Sequence, residues 1–528
     1  MTMSRESKLI IFVAVMASLL EIIDTSIVNV ALPSMMGNLG ATLEDISMVI
    51  TGYAIANAII LPVSAWAGER FGRRPYYLGC ILAFTVTSVA CGLAPNLMTL
   101  TLFRIFQGLA GGALLPTSQA LIYEQFPKEK AGMAGAIFGM SVMVGPALGP
   151  VMGGYLTDHF GWRSIFNINL PLGMIALMVG SMVIKDPAKN ASHDETLHVV
   201  KTKPPLDTVG LILLILGIGC LQYVLERGES LDWFSSKSIL LNTLICTVCL
   251  PSFVWWELKA SKPIVNIRLL KDSAVQNGVQ LIILLGFFLY GLVFLLPVFL
   301  GRAYHYDGTQ IGELFIPGSL LTMAMMPLIG RLMQTGRNPK VLIFIGFVSI
   351  ELCMWFFTFL SPLSSKTQVL YALYLRGFAL AFMFVPINSS ILSQYHGIHV
   401  GQVAGMLNLF RQIGGSMGIA LVATLLNTRG HQNYTDLSAR INALNPLAYQ
   451  NLQQTNLGFL GKFQNAVGWN TFDRAGIQAL YYKVQNQVFF MSFLQLLFIM
   501  MMIFSLFLIP LIRLKLQKGA PVKVVDAH

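Results

Sequence analysis

Long apolar runs recur along the whole chain, and they constrain its fold more than any other feature of the sequence. Each run has 19 to 27 residues and is bounded by short polar breaks. About 20 apolar residues in a helix cross the core of a bilayer, where the backbone must satisfy its own hydrogen bonds. We therefore predict an all-α polytopic membrane protein with fourteen transmembrane helices, at residues 9–32, 45–66, 76–95, 99–122, 132–156, 163–184, 207–225, 238–257, 274–300, 310–330, 341–360, 367–392, 402–427 and 487–512.

The composition supports this class of protein and excludes others. Hydrophobic residues make up 55% of the 528 residues and charged residues only 11%, whereas a soluble domain has about 25% charged residues. A disordered chain, a coiled coil and a soluble enzyme are therefore excluded. The six cysteines all lie in apolar runs without the spacing of a disulfide framework or metal site, so we expect no metal.

Basic residues are distributed unevenly between the two sides of the membrane. With fourteen spans, both termini lie on one side. The segments on that side contain 22 Lys and Arg residues, and the opposite segments contain 10. Since short cytoplasmic segments carry the excess of positive charge, we expect both termini in the cytoplasm. The net charge of +11 follows from this asymmetry and requires no nucleic-acid partner.

Weak internal repeats relate the two ends of the chain. Three features recur in order 264 to 272 residues later, at Gly72 and Gly336, Arg104 and Arg376, and Gly139 and Gly405. Many secondary transporters are built from two such halves, with the substrate site between them. We predict an N-terminal six-helix bundle at 1–185, a linker with two inserted helices at 186–272, and a C-terminal six-helix bundle at 273–528, which includes one long outer loop at 429–485.

The first span carries two carboxylates, Glu21 and Asp24, which lie three residues apart and therefore on one helix face. A carboxylate in the membrane is costly as an anion, and taking up a proton removes its charge. Asp24 and Glu21 are therefore candidate proton-coupling residues. Two alternatives stay open: either acid could be a structural partner of a basic side chain, and Glu21 could instead face a cationic substrate.

The fourth span contains Arg104 and, three residues later, Gln107. An arginine within a span must pair with an acid or with water, and Asp24 and Glu21 are the candidate partners. Protonation of Asp24 would then release Arg104, which gives an ion-pair switch. The polar residues expected to line a substrate cavity are Glu21, Asn29, Gln107, Asn408 and Arg411.

Two further sequence features suggest moving parts. A charged loop at 69–74 follows the second span; it anchors the topology, and it could also act as a gate whose salt bridges break in one conformation. The gating residues would be Glu69, Arg70, Gly72, Arg73 and Arg74. In the fifth span, glycines four apart allow close helix packing and prolines favour a bend. The residues of this second feature are Gly145, Pro146, Gly149, Pro150, Gly153 and Gly154.

Two more acids, Glu313 and Glu351, lie in or near apolar runs, and for each a structural and a functional interpretation are equally open. The sequence contains no P-loop and no other nucleotide motif. Transport driven by ATP bound to this chain is therefore not expected. We also expect no enzymatic activity, because no nucleophile and base lie at comparable depth.

The loop at 69–74 resembles the signature loop of the major facilitator superfamily, with Ala65 in place of the leading glycine and Glu69 in place of the usual aspartate. The stretch at 145–154 resembles the fifth-span motif of the drug:proton antiporters in that superfamily, with Ala136 in place of its leading glycine.

Three further stretches, 24–33, 225–234 and 411–416, are similar to motifs of the fourteen-span branch, and the whole pattern looks like its EmrB-type multidrug efflux transporters. The resemblance implies the major facilitator fold and export of hydrophobic or cationic toxicants by alternating access, driven by the proton gradient without a cofactor. It implies Asp24 as the proton-linked acid, Arg104 as its basic counterpart and 145–154 as an antiport-associated helix.

In a double-membraned bacterium, the resemblance also implies a place in the inner membrane and two partners. These are a periplasmic adaptor of the EmrA type, which could contact the loop at 429–485, and an outer-membrane channel of the TolC type. Alternatives remain: the same fold could export one specific metabolite, siderophore or amino acid. A non-transporting membrane receptor is a further alternative, although charged residues such as Asp24 and Arg104 in spans are expensive without a transport role.

Overall fold

The computed structural model describes residues 3–185, 206–261, 263–306, 308–361, 364–440, 450, 469–506 and 508–513. Within these ranges the chain is helical and contains no β-strand. The α-helices are α1 (Arg5–Leu39), α2 (Leu43–Phe71), α3 (Arg73–Gly92), α4 (Leu97–Gly111), α5 (Leu114–Glu124), α6 (Ala131–Phe160), α7 (Ser164–Asn167), α8 (Asn169–Val183), α9 (Thr208–Arg227), α10 (Lys237–Lys259), α11 (Ser273–Ala303), α12 (Gly308–Gln334), α13 (Pro339–Thr358), α14 (Lys366–Leu392), α15 (Ile398–Arg440), α16 (Trp469–Leu506) and α17 (Leu508–Arg513).

The membrane-spanning character predicted from the apolar runs is confirmed. Thirteen helical segments in the described ranges are long and apolar enough to cross a bilayer. The thirty-residue helix α6 is not among them, but it packs along α1 and α12 inside the helical assembly. Fourteen predicted spans therefore correspond to thirteen apolar segments and one further long helix.

Two predicted spans are interrupted in the structure. The run at 99–122 forms α4 and α5, which are separated at Gly112 and Ala113. The run at 163–184 forms α7 and α8, which are separated at Ile168. Backbone groups at a helix end lack partners within the helix, so each interruption makes N–H or C=O groups available to side chains of other helices.

Consecutive long helices run in opposite directions, which gives the protein two faces. The face at which α1 begins is the proximal face, and the opposite face is the distal face. On the proximal face, Lys185 after α8 forms an ion pair of 2.8 Å with Glu6 on α1. On the distal face, Lys366 at the start of α14 lies 3.9 Å from Glu313 on α12.

The helices form two groups that pack mainly within themselves. In the first group α1 contacts α5, α6 and α8, and α2 contacts α4. In the second group α11 packs along α15, and α14 packs between α12 and α13. The groups meet where α6 contacts α12 and α14, and where α2 and α5 contact α15. The boundaries predicted at 185 and 272 stay predictions.

Two matching turns support the internal repeat. Gly72 separates α2 from α3 with φ of 93°, and Gly336 lies between α12 and α13 with φ of 78°. A positive φ is unfavourable for residues with a Cβ atom, so glycine is suited to both turns. Each turn lies at the proximal face, between the second and third long helices of its group.

The inserted helix α9 contacts both groups at its distal end. Arg227 donates through Nη1 to the Glu44 carbonyl oxygen (2.9 Å) and to Ser47 Oγ, both on α2. Glu226 accepts a hydrogen bond of 2.9 Å from Ser416 Oγ on α15. Hydrogen bonds from adjacent residues of one helix therefore reach both halves of the molecule.

The predicted loop at 429–485 differs from the structure at both ends. Helix α15 continues to Arg440, and α16 already begins at Trp469. Loss of apolar character marks where a helix leaves the hydrocarbon, but it does not by itself end the helix. The next proline is Pro446, which with the rest of 441–449 and 451–468 lies outside the described residues.

Candidate functional site

The Asp24 carboxylate lies fully buried in the first group of helices. Its Oδ2 atom is 2.5 Å from Nη1 of Arg104 on α4. Its Oδ1 atom accepts hydrogen bonds of 2.9 Å from the side-chain amides of Gln107 and Asn169. Three donors therefore surround this acid, which has no exposed surface.

Arg104 is held on several sides. Its Nη1 atom also donates to Gln107 Oε1 at 2.8 Å, and the guanidinium carbon lies 4.1 Å from the centre of the Tyr53 ring. A cation over an aromatic face in a dry site is stabilised by the ring quadrupole. The sequence left Asp24 and Glu21 as alternative partners of Arg104, and the structure places Asp24 in contact with it.

The interruption between α7 and α8 contributes to this cluster. Asn169, the first residue of α8, donates to both Asp24 and Ser88 Oγ at 2.9 Å. Ser88 in turn donates to the carbonyl oxygen of Phe166 in α7, also at 2.9 Å. The break therefore places the Asn169 amide beside the acid, and Ser88 links that amide to the Phe166 carbonyl at the end of α7.

Glu21 forms a second buried site one helical turn from Asp24. Its Oε1 atom accepts a hydrogen bond of 2.8 Å from Asn57 on α2. Its Oε2 atom accepts one of 3.1 Å from the backbone N–H of Leu115, which the break between α4 and α5 leaves available. Glu21 also interacts electrostatically with Arg411 of the second group, so it faces the interface between the groups.

A buried polar seam joins the two groups on the proximal side of this site. Gln119 on α5 donates to Asn388 on α14 (3.0 Å) and accepts from Asn408 on α15 (2.7 Å). One turn further toward the proximal face, the hydroxyl oxygens of Tyr123 and Ser389 are 3.1 Å apart. Because all of these groups are uncharged, the seam can separate without exposing an unpaired ion.

Arg411 lies next to this seam and is almost completely buried. Its guanidinium carbon is 5.8 Å from the centre of the Phe384 ring on α14. The neighbouring Gln412 donates a hydrogen bond of 3.0 Å to the Ala54 carbonyl oxygen on α2. This part of α15 therefore carries a cation to the interface and ties α15 to the first group.

The second group contains a counterpart of Arg104 without its acid. Arg376 on α14 is 5% exposed, and its guanidinium carbon lies 4.7 Å from the centre of the Phe315 ring. Its Nε and Nη1 atoms have no hydrogen-bond partner among the described residues. The arginine and the aromatic ring are thus repeated in the second half, whereas within the described ranges the buried ion pair occurs only in the first.

The glycines of α6 bring that helix into backbone contact with α1. A Cβ atom added at Gly145 would lie 2.7 Å from the Ile22 carbonyl oxygen, and one at Gly149 would lie 2.5 Å from the Ser26 Cβ atom. Gly153 meets Ile27 in the same way, whereas Gly154 points away from α1. Pro146 and Pro150 lie within α6, whose helical backbone is continuous through both.

The charged loop at 69–74 lies at the proximal face. Arg73 pairs with Glu124 at the end of α5 at 2.6 Å, and Arg74 donates to the Ser181 carbonyl oxygen at 2.6 Å. Arg70 lies 5.7 Å from the Trp66 ring centre, and Glu69 is exposed. In this conformation, the ion pair between Arg73 and Glu124 lies within the first group of helices.

The structure brings together only some of the residues expected in a cavity. Gln107 belongs to the Asp24 cluster, Glu21 and Arg411 face the interface, and Asn408 belongs to the seam. Asn29 is separate: it is exposed and donates to the Thr25 carbonyl oxygen of its own helix at 3.2 Å. Their roles stay predictions.

Sequence reasoning missed several residues of these clusters. They are all uncharged, and the ones with amide groups are Asn57, Gln119, Asn169 and Asn388. The available signal was an amide within an apolar run, since a buried amide must find partners. That signal does not say which of the other helices supplies the partner.

Comparison with known proteins identifies relatives along most of the chain. Residues 14–419 match the Major Facilitator Superfamily. The chain is 32% identical to the multidrug export protein EmrB of Haemophilus influenzae over 84% of each chain, and 31% identical to EmrB of Escherichia coli K12 over 86% of each. It is 33% identical to the fatty acid resistance protein FarB of Neisseria gonorrhoeae, over 81% of this chain and 82% of FarB.

Solved structures with a similar fold are also transporters. The human organic anion transporter MFSD10 (TETRAN) aligns with a TM-score of 0.58 at 14% identity, covering 96% of this chain and 99% of that one. The proton:xylose symporter XylE aligns with a TM-score of 0.56 at 16% identity, covering 82% and 90%. At these identities the similarity establishes the fold alone.

Proposed function

Because the chain belongs to the Major Facilitator Superfamily, we propose that it is a proton-coupled antiporter that exports hydrophobic or cationic drugs and toxicants. Relatives with about a third of their residues identical are named multidrug export proteins. The observation that carries the proposal is the ion pair between Asp24 and Arg104, completely buried in membrane-spanning helices. Such pairs are costly in a membrane and mark sites of ion movement by default.

In the proposed cycle, a proton from outside the cell reaches Asp24 and neutralises it. The ion pair with Arg104 is then lost, and a buried arginine without a counter-ion is unfavourable. The helices that carry these residues therefore rearrange, and the rearrangement favours the other conformation of the transporter. One proton moving inward contributes about 2.3 kcal/mol per 100 mV of membrane potential, and no cofactor takes part.

Alternating access requires the two groups of helices to separate on one face at a time. Here the seam formed by Gln119, Asn388 and Asn408 joins them on the proximal side. We assign this conformation to the state in which the cytoplasmic side is closed. Glu21 and Arg411 would then meet a substrate that enters between the groups, and Glu21 would favour a cationic one.

The proposed location is the inner membrane of a bacterium, with the proximal face toward the cytoplasm. Support comes from the uneven distribution of Lys and Arg residues along the sequence. A tripartite pump, with an adaptor of the EmrA type and an outer-membrane channel of the TolC type, is part of this proposal. The ends of α15 and α16 beyond the apolar runs provide a distal surface for such an adaptor.

The test is export from proteoliposomes under an imposed pH gradient, with ethidium and tetraphenylphosphonium as substrates. The unmodified protein should accumulate both compounds against their gradients, whereas Asp24→Asn should bind them but not couple their movement to the gradient. Glu313→Gln is the control, since Glu313 lies at the exposed distal end of α12. Full coupled transport by Asp24→Asn would contradict the proposed role of Asp24.

The alternative is an exporter of one specific metabolite or siderophore on the same fold. Competition separates the two possibilities, because a multidrug pump accepts unrelated hydrophobic cations at one site or at overlapping sites. Ethidium export should therefore be inhibited by tetraphenylphosphonium at concentrations near its own KM. Absence of transport of either compound, together with transport of a single metabolite, would support the alternative.

A further inference from the structure

A groove on the lipid-facing side of the second group contains a carboxylate that the proposed cycle does not use. It lies between α13 and the helices α16 and α17, and its volume is about 300 Å³. Its walls include Phe344, Val348, Trp355 and Met501, and Glu351 is its acidic residue. Its volume is at the lower limit of the range for small-molecule sites, and its lining is apolar except for Glu351 and Ser505.

The depth of Glu351 makes its position unusual. It is the thirteenth residue of the twenty-residue helix α13, so it lies about 18 Å from the proximal end of that helix. The residues about one turn before and after Glu351 on the same face of α13 point outward. Val348 is 39% exposed and Trp355 is 50% exposed. Leu352, which also lines the groove, is 47% exposed. The groove therefore opens toward the hydrocarbon of the bilayer.

The protein provides little compensation for the charge of Glu351. Its Oε1 atom accepts a hydrogen bond of 3.1 Å from Ser505 Oγ. Among the described residues, none of the ion pairs includes Glu351. An ionised carboxylate can accept about four hydrogen bonds and is strongly disfavoured in hydrocarbon without a cation. A cation that is itself soluble in the bilayer would supply the missing charge.

We propose that this groove is a binding site for lipophilic organic cations that are dissolved in the bilayer, with Glu351 as the counter-ion and the surrounding aromatic and aliphatic side chains as the apolar walls. The site gives a hydrophobic cation a specific place on the lipid-facing side of the transporter. This inference rests on the proposed function, because the compounds that bind there belong to the class proposed for export.

The test uses two probes of the same shape and opposite charge, tetraphenylphosphonium and tetraphenylborate. Binding of each is measured by equilibrium dialysis with the full chain in lipid nanodiscs. In Glu351→Gln, the affinity for tetraphenylphosphonium should fall by at least about tenfold, since the carboxylate charge acts in a low-dielectric setting. The affinity for tetraphenylborate should not fall. The control Glu313→Gln should bind both probes as the unmodified protein does.

A second variant tests the shape of the groove. In Val348→Trp, the larger side chain fills the space beside Glu351 and leaves the carboxylate in place, so tetraphenylphosphonium binding should weaken by a comparable factor. Unchanged tetraphenylphosphonium binding in Glu351→Gln would overturn the proposal. An equal loss of affinity for both probes would also overturn it. A second copy of the chain that covers the groove, detected as a doubled protein mass in the nanodisc, would overturn it as well.

Transport separates this proposal from the proposed function. In Glu351→Gln, the KM for tetraphenylphosphonium export should rise severalfold while kcat stays close to that of the unmodified protein. If export under a pH gradient persists with an unchanged KM, the groove proposal fails and the antiporter proposal stands. If the unmodified protein binds tetraphenylphosphonium but does not export it, and Glu351→Gln loses that binding, the antiporter proposal fails and the groove remains a binding site.

Discussion

Asp24 is stabilised as an anion by its neighbours rather than by solvent. Arg104 supplies a full positive charge at 2.5 Å, and Gln107 and Asn169 supply amide dipoles at 2.9 Å. Each of these donors would lose part of its interaction energy if Asp24 took up a proton. Proton binding at Asp24 is therefore linked to the positions of these donors. This link between proton binding and geometry is what an antiporter requires.

Single and double substitutions of the ion pair should differ in their effect on stability. Arg104→Ala leaves a buried carboxylate without its cation and should lower the free energy of unfolding by roughly 3 kcal/mol. Adding Asp24→Asn to Arg104→Ala should restore a large part of that loss but no proton-coupled transport. Thermal unfolding of the purified variants measures the first effect, and reconstituted export measures the second.

The control for this cycle is Lys366→Ala, which removes the exposed partner of Glu313, 3.9 Å away on the distal face. Exposed pairs contribute at most about 1 kcal/mol, so its unfolding temperature should change little. Equal stability of Arg104→Ala and the unmodified protein would contradict the view that Asp24 remains charged in this state.

Sequence reasoning identified the charged members of the site but only some of its uncharged ones, such as Gln107. Asp24 and Arg104 stand out because a charge within an apolar run is rare and needs a partner. Asn169 is 145 residues away from Asp24 along the chain, and an amide gives no indication of which partner it will find. The contact could be located only once the helices were placed in three dimensions.

At the scale of the helix, α6 links the acid-bearing helix to the second group. Gly145 and Gly149 bring its backbone against Ile22 and Ser26, on either side of Asp24 along α1. Nearer the proximal face, Gly132 of α6 meets the backbone of α12. A displacement of α1 would therefore displace α6, and through α6 it would act on the second group of helices.

Adding a methyl group on the two faces of α6 should give contrasting results. In Gly149→Ala, the new Cβ atom would lie 2.5 Å from the Ser26 Cβ atom, so the helices must move apart. Overpacking of this kind costs about 1–3 kcal/mol, and export should fall with it. In Gly154→Ala, the nearest atom is Thr309 Oγ1 at 4.0 Å, so unfolding and export should be unchanged. Equal behaviour of the two variants would exclude tight packing of α6 on α1 as a functional requirement.

The helices themselves were more predictable than their interruptions. An apolar run of sufficient length specifies a membrane helix whatever its detailed sequence, which is why the spans could be read directly. The break at Gly112 lies inside one such run and cannot be recognised from hydrophobicity. It arises where a Cβ atom at Gly112 would lie 2.5 Å from the Asn57 carbonyl oxygen, a contact between helices. The same limit explains why the N–H of Leu115 was not foreseen as a partner of Glu21.

At the scale of the whole molecule, the polar seam joins the two groups of helices on the proximal side. Gln119 contacts both Asn388 and Asn408, so a single side chain of the first group holds two helices of the second. The seam is uncharged, and opening it exchanges hydrogen bonds within the protein for hydrogen bonds with water, at a modest net cost. Such an interface can be stable in one state and still separate in each transport cycle.

A reversible cross-link across the seam should stop transport. The six native cysteines are first replaced, and Gln119→Cys and Asn388→Cys are introduced together. A short bifunctional thiol reagent should then abolish export, because the proximal face cannot open, and reduction of a disulfide-containing linker should restore it. Each single-cysteine variant treated in the same way is the control. Undiminished export by the cross-linked protein would show that this seam does not open during the cycle.

The inserted helix α9 has a consequence for how far the molecule can open. Arg227 holds α2, Glu226 holds Ser416 on α15, and Trp233 just beyond the helix donates to Thr424 at 3.0 Å. These hydrogen bonds can be kept during a small rotation of the two halves. They cannot all be kept when the halves move apart by more than the length of a side chain. The additional pair of helices thus gives the outward-opening motion a mechanical stop, a restraint that a bundle of twelve helices without the insertion would lack.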